Sequence, residues 1–78
     1  MGTKNNPGKF DCFVKAEDDE PIFTLRGKDP LAGATVRHWV ALRRQAALEK
    51  LGEAERIEEA LQCAAAMDEY YDTKIAVK

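Results

Sequence analysis

The stretch PIFTLRGKDPLAGATVRHWVALRR, residues 21–44, decides the predicted fold, because a short apolar segment passes through a Gly-Lys link into a helix start. Ile22–Leu25 is β-branched and aromatic, which favours a strand. Asp29 can accept hydrogen bonds from the free N–H groups of a first helical turn, and Pro30 fits the first helical position. We therefore predict a strand followed by a helix that runs from Asp29 to Gly52.

Toward the N-terminus, Lys9–Lys15 alternates Phe10, Cys12 and Val14 with Asp11, Phe13 and Lys15, a period of two that is typical of a half-buried strand, although the apolar Phe13 breaks it. The acidic residues 17–20 and Pro21 then favour a turn. The sequence thus predicts a two-stranded antiparallel hairpin whose core residues are Phe23 and Leu25.

Toward the C-terminus, helical periodicity predicts two helices that pack side by side. In the first, one apolar arc gathers Ala32, Val36, Trp39, Val40, Ala46, Ala47 and Leu51, with Leu42 at its edge. Gly52 supplies a left-handed residue that ends it. The second runs from about Glu53 to Asp72, with a stripe of Ile57, Ala60, Leu61, Ala64, Met67 and Tyr71. The small residues of this stripe favour close packing against the Trp39 side of the first helix.

These elements define an α+β fold of order ββαα, in which an N-terminal two-stranded antiparallel hairpin packs on an antiparallel two-helix hairpin. We predict a disordered N-terminal tail over residues 1–8, one ββαα domain over 9–72 and a C-terminal tail over 73–78. A chain of 78 residues buries little of its surface, so its stability is marginal and would increase on oligomerisation.

Composition limits the classes of function. The sequence is 45% hydrophobic and 33% charged, with a net charge of -2, and residues 53–78 are clearly more acidic than residues 1–52. No segment reaches the roughly 20 apolar residues of a membrane span, and Met1–Lys9 lacks the apolar region of a secretory signal. We expect a cytoplasmic protein in which Cys12 and Cys63 are buried, reduced thiols, with a disulfide between them as the less favoured alternative.

No segment carries the residue types and spacing of a catalytic, cofactor or metal site. The carboxylates at 17–20 follow one another in a turn and do not converge as calcium ligands do. His38 is predicted to project away from the apolar arc to the solvent side. Arg43 and Asp68 each interrupt an apolar stripe, but the register separates them by roughly 10 Å. We expect Asp68 near the start of the first helix, beside Arg26, Lys28 or Thr35, and Arg43 either beside Glu58 or on a face that meets another subunit.

The candidate interaction surface comprises the basic residues before and along the first helix and one tyrosine of the second: Arg26, Lys28, Arg37, Arg43, Arg44 and Tyr70. Arginine binds carboxylates and phosphates, and tyrosine is enriched in protein interfaces.

Within DEPIFTLRGKDPLAGATVRHW, residues 19–39, an acidic-Pro turn, an FxL strand and a DPLA helix start occur together. This stretch resembles small uncharacterised bacterial and phage-associated proteins. The resemblance implies an accessory binding protein and transfers no catalytic residues.

The leading hypothesis for function is a non-enzymatic protein–protein interaction module that self-associates, because both hairpin strands are free edges that could pair into a four-stranded sheet in a homodimer. Its exposed arginine face would be available to a partner protein. The alternative is a nucleic-acid-binding accessory protein that uses the basic flank of the first helix. A third hypothesis, a small enzyme acting through His38 or a cysteine, requires a pocket that joins one of them to a second polar group.

Overall fold

The computed structural model describes residues 1–76, and every regular element in this range is helical. A single turn, α1, covers Cys12–Lys15, and two longer helices follow: α2 is Ala32–Ala46 and α3 is Glu53–Tyr70. A short π-helical turn, Tyr71–Ile75, continues α3 directly. Residues 77 and 78, the end of the predicted C-terminal tail, lie outside the described residues.

The two long helices form a hairpin whose completely buried side chains are mostly small. Ala32 of α2 and Ala60 and Ala64 of α3 are completely buried, and Val40 is the only large side chain among the described residues that is fully buried. Small residues let two helix backbones approach closely, so this contact fixes the helix pair while burying little apolar area. The antiparallel helix pair of the sequence prediction is present.

The α+β prediction is wrong, because residues 1–76 contain no β-strand and the ββαα order has no hairpin. At the first expected strand, the Asp11 carboxylate accepts a hydrogen bond from the Phe13 N–H at 3.1 Å, and the Ala16 N–H donates to the Cys12 carbonyl at 2.9 Å. Asp11 therefore begins a helical turn, and this local cap outweighs the alternation of period two.

The second expected strand is extended but unpaired. No backbone hydrogen bond joins residues 21–25 to the rest of the described chain. Phe23, which we placed in the core, is 86% exposed, whereas Leu25 is half-buried. A lone hairpin is marginal in water, and without α1 as a strand this segment has no partner.

The first helix ends earlier than predicted. Ala47 takes a left-handed conformation with φ of 51° and ends α2, while Gly52, with φ of 81°, directly precedes α3. A first helix that reached Gly52 would leave no residues to reverse the chain, and antiparallel helices need a short loop. Residues 47–52 supply it, so Ala46 and Ala47 are exposed and Leu51 projects fully into solvent.

The predicted cap, with Asp29 as the capping residue and Pro30 as the first helical residue, is wrong, because the N-cap of α2 is Leu31 and it makes no side-chain capping bond. The Asp29 carboxylate accepts from the Leu31 N–H at 2.9 Å, and its carbonyl accepts from the Ala32 N–H at 3.1 Å. Asp29 thus forms a turn that leads into α2, which begins at Ala32 instead of Pro30.

The N-terminal segment folds back on α3. The Met1 ammonium donates to the Phe10 carbonyl at 3.1 Å and lies 3.7 Å from the Glu59 carboxylate, and Lys9 binds Glu55 at 3.0 Å. The buried Phe10 ring has the Arg56 guanidinium 4.7 Å from its centroid. These contacts fasten the start of the chain to the acidic helix.

The left-handed Ala47 yields a stability prediction. A Cβ in this conformation costs roughly 1 kcal/mol, which glycine avoids. We expect Ala47→Gly to raise the free energy of unfolding by about 0.5–1 kcal/mol, as measured by urea denaturation followed by circular dichroism.

The matched control is Ala46→Gly, one residue earlier and inside the helix, where glycine should lower stability by about 0.5–1 kcal/mol. Equal effects of the two substitutions would show that Ala47 is not left-handed.

Candidate interaction surface

One face of α2 points to solvent and carries no charged side chain. Seven residues spaced one helical turn apart share it, and all of them are exposed: Leu31, Ala34, Thr35, His38, Ala41, Leu42 and Gln45. Leu31 is 68% exposed and Leu42 is 50% exposed. We call this set the outer face of α2. The exposed face of a surface helix usually carries charged residues, and the outer face of α2 carries none.

The charges of α2 lie instead on the side that meets α3 or on its flanks. Arg37 is ion-paired with Asp68 at 2.6 Å, with both side chains about half exposed. The Asp68 carboxylate occupies the space above Gly33, where a Cβ would collide with it. Glycine at this position thus lets Asp68 reach across to α2. Asp68 lies near the start of the first helix, as predicted, but its partner is Arg37.

At the other end of the helix pair, Arg43 makes two hydrogen bonds to the Glu53 carboxylate, at 2.6 and 2.7 Å. The two side chains are only 18% and 11% exposed. The expected partner Glu58 is exposed and hydrogen-bonds to Gln62 at 3.2 Å. The Arg43 guanidinium also lies 4.8 Å from the Trp39 ring centroid, within the range of a cation–π contact.

This pairing shifts both ionisations toward the charged forms. The hydrogen bond from Arg43 is the largest cause that lowers the pKa of the Glu53 carboxyl, and burial opposes it. The same bond raises the pKa of the Arg43 guanidinium. The Arg43–Glu53 pair therefore joins the last turn of α2 to the first turn of α3.

The remaining predicted residues fall into two places. A Cβ on Gly27 would lie 3.1 Å from the Tyr70 ring, so Tyr70 packs against the turn that carries Arg26 and Lys28. These two cations line an open groove of about 370 Å³ with Phe23, Thr24, Leu25 and Asp29. Arg44 lies roughly 18 Å farther along α2 than Ala32.

The structure thus brings Arg26, Lys28 and Tyr70 together and separates them from Arg43 and Arg44. Arg37 and Arg43 are engaged within the chain, so the six predicted residues do not form one continuous basic surface. The sequence analysis did not predict the outer face of α2. Residues 31, 35, 38 and 42 are all uncharged and are spaced by three or four, and this pattern could have indicated an uncharged helix face.

Apolar exposure extends beyond α2. Besides Phe23, six other large hydrophobic side chains outside the outer face are exposed: Phe13, Val14, Ile22, Leu48, Leu51 and Tyr70. Phe13 and Val14 belong to α1, and Ile22 and Phe23 belong to the unpaired extended segment.

Both cysteines are free thiols, but Cys12 is exposed and Cys63 only half-buried, so the expectation that they are buried is wrong. Residues 1–76 contain no cluster of three or more potential metal-ligating His, Cys, Asp or Glu side chains. Within the same range, no helix has the length and apolar character needed to cross a membrane.

Comparison of the chain with protein-family models, with curated proteins and with solved structures found no match. The resemblance of residues 19–39 to bacterial and phage-associated proteins accordingly stays a prediction.

The contact of Gly33 with Asp68 can be tested by a double-mutant cycle. Alanine in place of glycine within a helix normally adds about 0.5–1 kcal/mol of stability. We expect Gly33→Ala to show this gain only in the Asp68→Ala background. In the wild-type background, the new methyl group displaces the carboxylate from Arg37 and the gain is reduced or lost. Equal gains in both backgrounds, measured by urea denaturation, would contradict the contact.

The Arg43–Glu53 pair predicts a dependence of stability on pH. Because the folded-state pKa of Glu53 is lowered, its contribution is complete above the unfolded-state value of about 4.3 and is lost as pH falls through the folded value. We expect Glu53→Gln to lower the Tm at neutral pH and to flatten its decline in acid.

Glu58→Gln is the matched control, because Glu58 is an exposed carboxylate on the same helix. It should leave both the neutral Tm and the acid slope close to wild type. If Tm depends on pH in the same way for the two variants from pH 7 to pH 3, the Arg43–Glu53 pair does not contribute to stability as proposed.

Proposed function

We propose that this chain is a non-enzymatic protein–protein interaction module that self-associates. The observation that carries the proposal is its surface area. The chain exposes 6367 Å², whereas a folded monomer of 8.7 kDa exposes about 4,700 Å². The excess of roughly 1,600 Å² is about twice what one partner buries in a standard protein interface.

The shape of the chain agrees with this excess. Its radius of gyration is 13.3 Å, compared with about 11.5 Å for a compact domain of 78 residues. Its buried apolar residues are Phe10, Ala32, Val40, Ala60 and Ala64. A hydrophobic interior of this size adds little to stability, and small domains commonly compensate by oligomerisation.

Residues 1–76 contain no strand that could pair with a strand of a second copy, so the proposal depends on the exposed apolar side chains and not on sheet formation. The same surface could also receive a different partner protein. We include a cytoplasmic location in the proposal, because both free thiols suit a reducing compartment.

The nucleic-acid alternative receives less support from the site. Arg37 and Arg43 are committed to carboxylates of α3, and Arg44 lies far from Arg26 and Lys28. Phosphate binding through the remaining cations would have to compete with the acidic surface of α3.

Light scattering tests self-association most directly, with the molar mass measured at low and high protein concentration and at two salt levels. We expect the mass-average value to rise from 8.7 kDa toward twice that value with concentration. The rise should persist or increase at high salt, because apolar burial is not screened. A constant monomer mass at every concentration would refute self-association.

A further inference from the structure

We propose that the outer face of α2 is the self-association surface, and that two copies pair there with their α2 helices antiparallel and His38 at the two-fold axis. This inference rests on the proposed function and names its interface and partner. It follows from three properties of the outer face: its lack of charge, its internal symmetry and its freedom from contacts with α3.

The lack of charge makes the face compatible with itself. In an interface with two-fold symmetry, the same patch meets its own copy, so any charge on it meets a like charge nearby. The seven residues from Leu31 to Gln45 that form this face include no lysine, arginine, aspartate or glutamate. Two copies can therefore approach without repulsion between lysine, arginine, aspartate or glutamate side chains of the face itself.

The arrangement of side-chain sizes also fits an antiparallel copy. With His38 at the axis, residues equally far before and after it face each other across the interface. Leu42 then meets Ala34 of the second copy, and Thr35 meets Ala41. Leu31 meets Gln45. Close helix packing is favoured when a large side chain lies opposite a small one. The two-fold symmetry produces two such pairs, because Leu42 of each copy lies opposite Ala34 of the other.

The face is also available in the folded chain. The α2–α3 contact uses the opposite side of α2, which includes the buried Ala32, Gly33 and Val40. Self-association through the outer face would thus leave both interhelical ion pairs, Arg37–Asp68 and Arg43–Glu53, in place. Such a dimer would form a layer in which the two α2 helices are central and the two α3 helices are outside.

The size of the contact sets the expected strength. Residues 31–45 span roughly 21 Å along the helix axis. A single helix pair of this length is smaller than a standard interface, so we expect a dissociation constant on the order of 10 µM. The association should therefore be reversible over a concentration range accessible to sedimentation velocity.

The first test substitutes a carboxylate at one of two exposed leucines. Leu42→Glu places a charge on the outer face opposite Ala34 of the second copy, and the variant should remain monomeric from about 2 to about 200 µM. Leu51→Glu makes the same change at a fully exposed leucine in the loop after α2 and should associate as the wild type does. Circular dichroism establishes that both variants retain their helices.

A third variant, Phe23→Glu, separates failure of this inference from failure of the proposed function. Phe23 is the most exposed aromatic residue of the extended segment. If the wild type associates but Phe23→Glu abolishes association while Leu42→Glu does not, self-association stands and the α2 interface is overturned. If the wild type is monomeric throughout, both proposals are overturned.

The second test fixes the orientation of the helices by crosslinking. In a Cys12→Ser, Cys63→Ala background, His38→Cys should give a covalent dimer with a bismaleimide whose spacer is about 8 Å, comparable to helix–helix distances. Gln45→Cys should not, because antiparallel pairing separates the two Gln45 positions by roughly 21 Å. Efficient crosslinking of both variants would indicate parallel helices and overturn the antiparallel arrangement, as would the absence of crosslinking at position 38 in an associating protein.

Discussion

The close approach of α2 and α3 at Ala32, Ala60 and Ala64 is the constraint on which the rest of this structure depends. These side chains are fully buried and small, which lets the helix backbones approach closely, and Val40 is the one large side chain among the described residues that is fully buried. The contact gives the hairpin a defined geometry but little hydrophobic stabilisation. Ion pairs near both ends of the hairpin supplement it, Arg37 with Asp68 and Arg43 with Glu53.

The acidity of α3 has a structural explanation in these contacts. Besides the two arginines of α2, Lys9 and the Met1 ammonium bind carboxylates of α3, at Glu55 and Glu59. The acidic helix α3 thus forms ion pairs with cations of the N-terminal segment and of α2. One consequence is that basic residues which the sequence offers for external binding are partly neutralised within the molecule.

A second consequence concerns polarity. Arg37 and Arg43 pair with carboxylates of α3, and the outer face of α2 carries only apolar and uncharged polar residues. The helix therefore combines a small-residue inner side, which binds α3, with an outer face that resembles the partner-binding side of a helical bundle.

The sequence predicted the long helices well and the short segments poorly, for identifiable reasons. Helical periodicity over α2 and α3 correctly indicated the antiparallel pair, the outward position of His38 and the placement of Asp68 near the start of α2. The alternation at Phe10, Cys12 and Val14 covers too few residues to outweigh the local cap made by Asp11. The Glu53 partner of Arg43 could not be inferred, because it depends on α2 ending at the left-handed Ala47, where no glycine marks the end.

Trp39 is the only tryptophan of the chain, and its ring lies beside the Arg43 guanidinium that Glu53 holds from the first turn of α3. Separation of the two helices would remove the cation from the indole and increase its contact with water. Because Trp39 also lies one helical turn from Thr35 and Leu42 of the outer face, its fluorescence should respond both to opening of the hairpin and to coverage of that face. The chain thus contains an intrinsic optical probe that lies beside both the contact between the helices and the outer face of α2.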